Sequence, residues 1–190
     1  MLWSSRELGL VIVLAILGVM YGVFVLQLGS LLTSIPGLNY LLSVGVAIWI
    51  SLSFLLFNGR RWRLLVTVTI FVLLTIPTYV MGTPYDLVAR MPVILIILLI
   101  DIIFNSVYTE FRKKGKILRL IIILSIVNLI GDMVFRVIIY PFVYSSNFVT
   151  FFYGISLYLL PVVIVEAIIG GYVGYKIFQR IKNLSFLDIR

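Results

Sequence analysis

The sequence predicts an all-α integral membrane protein, a single domain over residues 1–190 with six transmembrane helices and both termini in the cytoplasm. Three observations carry this. Apolar residues make up 63% of the chain and charged residues 12%, against roughly 45–50% and about 25% in soluble domains. Hydrophobic runs follow one another from end to end, each near the ~20 residues a helix needs to cross a bilayer. The cations, finally, gather on one face of that arrangement.

The elements follow in order. Span one is expected at about 8–28, before the uncharged loop "GSLLTSIPG"; it is too long for a signal-peptide core and lacks an A-x-A cleavage pattern, so it reads as a retained span. Span two is expected at about 38–57, ended by "NGRRWR", and span three at about 64–81. "GTPYD" leads into span four, about 87–108, and "TEFRKKGK" separates it from span five, about 117–143. A short "SSN" turn precedes span six at about 149–178. Spans five and six exceed a ~30 Å hydrocarbon core and must tilt, overhang or bend at Pro141 and Pro161. With six spans, Arg6, Arg60, Arg61, Arg63, Arg112, Lys113, Lys114, Lys116, Arg119, Lys176, Arg180, Lys182 and Arg190 share one side. Only Arg90 lies near a helix end on the other, and Arg136 is within a span. The positive-inside rule makes the basic side cytoplasmic.

Composition also narrows the chemistry. The chain has no cysteine and no histidine, so disulfides, thiolate metal sites and the commonest general base are excluded. The net charge of +8 sits in short loops, where topology accounts for it, and nucleic acid is not an expected partner. Those loops also suit anionic membrane lipid. Nucleophile-elbow, zinc-protease and phosphate-loop motifs are missing. The chain is expected to be no enzyme and to hold no cofactor or metal.

Four ionisable residues lie inside spans: Asp101, Asp132, Arg136 and Glu166. Each costs roughly 2.5–3.5 kcal/mol at a helix centre and must face the bundle interior, a partner or water. Asp132 and Arg136 are spaced to pair on one helix face, and Asp86 with Arg90 repeats the spacing. These pairs admit two roles: internal ion pairs that let the charges enter the membrane, or a cluster addressing a polar ligand from outside. Asn39, Tyr40, Tyr79, Tyr85, Tyr140, Tyr144, Asn147, Tyr153 and Tyr158 lie at the same level, though an aromatic belt also uses tyrosine there. Asp101 and Glu166 fit either interhelical hydrogen bonding or a proton relay, with hydrogen bonding favoured. Ala15, Gly18 and Gly22 align along span one, and Gly170 and Gly174 along span six; such spacing lets backbones approach closely, within the monomer or against a partner.

The last span, "LPVVIVEAIIGGYVGYKIFQRI", and "TPYDLVARMPVILIILLIDII" before it resemble the substrate-binding S components of energy-coupling factor (ECF) transporters. The resemblance extends over the whole chain. It implies a cell-membrane protein of a prokaryote that captures a vitamin or related small micronutrient from outside and reorients against a transmembrane coupling protein driven by two ATPases. It further implies that Arg136 meets an anionic or carbonyl group of the ligand and that Asp132 fixes Arg136 or accepts from the ligand. Arg90 and Asn128 are further candidates, with Asn39, Tyr40, Tyr85 and Tyr140 around them and Ser34 to Tyr40 as a lid. Ala15, Gly18 and Gly22 would meet the coupling protein. Two rivals remain from the sequence: a stand-alone ion- or proton-coupled transporter or channel, and a non-transporting membrane scaffold.

Overall fold

The computed structural model describes residues 3–27 and 38–183, the side chains of Leu38, Asn39 and Asn183 excepted. Most of the lid segment, Ser34 to Asn39, therefore lies outside the described side chains. Helix α1 is Ser5–Tyr21, prolonged by a π turn at Gly22–Leu26. A 3-10 turn at Leu38–Leu42 leads into α2, Val44–Leu56, and α3 is Arg63–Thr75. A second 3-10 turn, Val88–Arg90, opens α4, Met91–Lys113. Helix α5, Ile117–Ile139, ends in the 3-10 turn Tyr140–Phe142, and α6 is Ser146–Asn183. Among the described residues there is no strand.

Four of these stretches are long and apolar enough to cross a membrane: Ser5–Leu26, Val88–Lys113, Ile117–Phe142 and Ser146–Lys182. Helices α2 and α3 have 13 residues each, about 20 Å at 1.5 Å per residue, well short of a ~30 Å core. This differs from the runs expected at 38–57 and 64–81. Ile76 is still helical in its backbone angles and donates to the Leu73 carbonyl, but Pro77 has no N–H to continue the ladder, so α3 stops at Thr75 although the hydrophobic run continues. The start of span two forms the 3-10 turn instead. Helix α6 does the opposite: it runs 38 residues straight through Pro161, about 57 Å.

The helices close a ring, each packed on the next in the order α1, α3, α4, α5, α6, α2 and back to α1. Hydrogen bonds mark its two ends. At one end Ser4 and Glu7 form a capping box, and Glu7 also ion-pairs with Arg60 and Arg63 across the α2–α3 turn. Asn58 in that turn accepts from Tyr108 at 2.8 Å and from Arg112 at 2.9 Å. Gly59 beside it adopts φ +74°, and its missing Cβ is where the Tyr108 ring sits. At the other end Tyr40 reaches Asp132 and Tyr144 reaches Asp86. Arg60, Arg63 and Arg112 all lie at the Glu7–Asn58 end.

The charges inside the apolar layer mostly serve the ends of the short helices. Glu166 of α6 accepts from the Ser43 backbone N–H at 2.9 Å and from its hydroxyl, capping α2. Asp101 of α4 accepts from the Leu65 N–H in the first turn of α3 at 3.4 Å and from Asn105. Arg90, only 1% exposed, donates to the carbonyls of Thr75, Ile76 and Thr78 at 3.0, 3.2 and 2.9 Å, and to those of Thr83 and Asp86. Carboxylates thus sit at amide ends and a guanidinium at a carbonyl end, the signs the helix dipole favours. A helix ending inside lipid needs such a partner because no water is there to supply one. The favoured role of Asp101 and Glu166, interhelical hydrogen bonding, is the one their geometry displays.

The small-residue stripe of α1 packs within the chain. Ala15 is fully buried, a Cβ on Gly18 would meet the Trp49 ring at 2.6 Å, and one on Gly22 would meet Val80 at 2.9 Å. Of the two expected uses of Ala15, Gly18 and Gly22, within the chain or against a coupling protein, the contacts seen are within the chain, where close approach seats α2 and the 76–87 segment. Gly170 and Gly174 do the same for α6 on α2.

Candidate functional site

Helix α5 is polar along one stripe. Asn128, Asp132 and Arg136 recur every four residues, one above another on a single face. Tyr140 continues the series into the 3-10 turn, and Tyr144 and Phe148 extend it around the corner into α6. The four-residue spacing is a helix period, so the sequence places the stripe; packing then turns it inward, with Val134 and Ile138 facing outward.

That stripe forms one wall of a cavity of about 340 Å³. All six helices contribute: Gly18 and Tyr21 from α1, Trp49 and Ile50 from α2, Phe71 from α3, Val93 and Ile97 from α4, the α5 stripe, and Phe148 and Phe152 from α6. Tyr40 and residues Tyr79 to Thr83, with Asp86 and Ala89, complete it at the end away from the basic residues. One side is therefore apolar and aromatic and the other carries the charges. Such concave, mostly apolar sites with few placed polar groups are how proteins hold small molecules, and this volume lies at the small end of their ~300–1,000 Å³ range.

The polar wall is tightly wired. Arg136 Nε donates to Asp132 Oδ2 at 2.9 Å, and Nη1 donates to the Tyr140 hydroxyl. The Tyr40 hydroxyl donates to the same Asp132 oxygen at 2.7 Å. The guanidinium also stands 5.8 Å from the Tyr140 ring centre, within cation–π range. Tyr140 packs edge-on to Tyr144 at 4.8 Å and against Phe152 at 5.0 Å between ring centres. Asp86 lines the cavity with both oxygens engaged, one by the Ala89 N–H at 3.0 Å and one by the Tyr144 hydroxyl. Burial and the bond to Asp86 push the Tyr144 hydroxyl above its ordinary pKa, so it stays a donor. Among the described residues no cluster of acids could hold a metal ion.

The structure brings Asn128, Asp132, Arg136, Tyr40 and Tyr140 to one cavity. It does not bring Arg90 or Tyr85 there. Arg90 is turned onto the α3 carbonyls, and Tyr85 is 74% exposed with φ +65°. Asp86 and Arg90 do not form the expected ion pair, because Val88–Arg90 is a 3-10 turn and the Asp86 carboxylate is taken by the Ala89 N–H and the Tyr144 hydroxyl. Asn39 is among the residues whose side chains are not described. Trp49, Phe71, Phe148 and Phe152 were not singled out from sequence, since aromatic residues in apolar runs give no sign of which way they face. No protein-family model, curated protein or solved structure matches the chain.

Proposed function

We propose that this protein is the membrane-embedded substrate-binding subunit of an ATP-driven importer of ECF type, capturing a vitamin-like micronutrient. One observation carries it above the rest: a small-molecule-sized cavity inside an apolar helical ring, walled by aromatics and crossed by the Asn128–Asp132–Arg136–Tyr140 stripe. The sequence resemblance supplies the class of importer. The chain carries no phosphate-binding loop, so energy would come from the coupling protein and two ATPases of the module. Of Asp101, Asp132 and Glu166, which a proton relay would use, Asp101 and Glu166 are engaged on the ends of short helices, and this favours a binding subunit over a proton-coupled carrier. Native mass spectrometry of gently purified protein is expected to show a co-purifying small molecule. Pull-down from the source membrane is expected to recover a coupling protein with two ATPases. A preparation that carries no small molecule and recovers no ATPase sinks the proposal.

The proposed topology has six spans, the 3-10 turn and the 76–87 segment completing the crossings that α2 and α3 begin. Both termini are cytoplasmic, and the cavity end faces outward in the cell membrane of a prokaryote. The cysteine-free chain makes this direct to check. Single cysteines at Thr83 and Ser145 should react with an impermeant maleimide on intact cells, and one at Lys114 should not. Labelling of position 114 from outside refutes the topology.

A further inference from the structure

Within the cavity one polar atom is unlike the others. Oδ1 of Asp132 is buried and has no hydrogen-bond partner, whereas Oδ2 accepts from both Tyr40 and Arg136. The other lining carboxylate, Asp86, has both oxygens occupied. One turn back on α5, the Asn128 side chain lines the same cavity and makes no hydrogen bond to the described protein. Arg136 is engaged through Nε to Asp132 and through Nη1 to Tyr140, and its Nη2 makes no hydrogen bond among the described residues. Among the described lining side chains, Oδ1 of Asp132 is the one atom both fully buried and without a partner, and it is a charged acceptor. A buried carboxylate oxygen left without a donor is costly, so a ligand that supplies one gains more there than at any neutral group. An anion would place like charge against Asp132 in surroundings of low polarity, where Arg136 is already ion-paired with Asp132.

We infer that the ligand presents an N–H or O–H donor, on a neutral or singly cationic group, to Oδ1 of Asp132, with Asn128 alongside and a flat apolar body lying toward Trp49 and Phe71. This rests on the cavity being the ligand site proposed above and narrows it. Of the two roles expected for Asp132, fixing Arg136 or accepting from the ligand, this selects the second, and it makes Arg136 a positioning residue in place of the group that meets an anionic or carbonyl function.

The test uses two sets of probes of matched shape, tryptamine and benzylamine against indole-3-acetate and benzoate, on purified full-length protein in detergent. Binding is read by calorimetry and by the shift in thermal midpoint. At least one amine is expected to bind at least tenfold more tightly than its matched acid. Asp132→Asn should abolish that preference, whereas Tyr85→Phe, exposed and outside the cavity, should keep it. Should Asp132→Asn fail to fold, the amine-to-acid comparison on the wild type decides alone. Acids binding as well as amines, or no probe of either set binding, overturns the inference. Neither outcome touches the importer proposal, which stands or falls on the co-purifying molecule and the ATPases.

Discussion

Replacing Arg90 with glutamine is expected to lower stability by at least ~3 kcal/mol, because uncapping even two carbonyls in apolar surroundings costs about 1–3 kcal/mol each. For a chain of this size that corresponds to a fall of about 6–12 °C in thermal midpoint. The reason is the number of acceptors one guanidinium serves: the last carbonyls of α3 and three in the segment that follows. Arg90→Lys should recover only part of the loss, since an ammonium keeps the charge but cannot span the same fork of acceptors. Thermal unfolding in detergent measures both. A glutamine variant melting within about 2 °C of the wild type, under 1 kcal/mol for this size, would show that the loop finds other donors and that Arg90 is dispensable to the fold.

The second large effect is steric. A Cβ added at Gly170 would lie 2.5 Å from the Ala47 Cβ and 2.7 Å from the Val44 carbonyl oxygen, so α2 must move off α6. Val44 is next to Ser43, which Glu166 caps, so the same displacement strains that cap. Gly170→Ala is expected to destabilise by ~1–3 kcal/mol, the range for overpacking. Gly9 and Gly154 have nothing within 4 Å of a Cβ, and alanine there should be neutral or stabilising by about 0.5–1 kcal/mol through helix propensity. Comparing the three by thermal unfolding separates packing from propensity. Equal midpoints for all three would mean that the α2–α6 approach is not tight.

Much of this was legible in the residues, and the rest was hidden for identifiable reasons. The α5 stripe could be read because its spacing is local: four residues is one helical turn wherever the helix lies. Tyr40 joining Asp132 could not, because their contact spans 92 residues of sequence. The same four-residue rule misled at Asp86 and Arg90, where a 3-10 turn replaces the α-helix and the nearby α3 carbonyls outbid the carboxylate. The cost of burying Asp101 and Glu166 was evident, but their partners are backbone amides, which look identical in every sequence. Hydropathy likewise could not show that α3 ends at Thr75, since Pro77 stops the helix while the apolar run goes on. The glycines of α1 announced close packing without saying against what. That depends on where Trp49 and Val80 arrive, which only the assembled ring decides.

The capping of α2 by Glu166 has a consequence for how the chain is made. Donor and acceptor are 123 residues apart, and at about 5–20 residues per second the ribosome separates their appearance by roughly 6–25 s. Through that interval the second helix exists without the last one, its amide end uncapped and the groove for Gly170 and Gly174 empty. The nascent protein must therefore leave this helix near the interface, lend it another partner, or shelter it beside the insertion machinery until synthesis is nearly over. The ring closes from its final strand of sequence backward, and a chain interrupted before residue 166 leaves its second helix without the carboxylate that completes it.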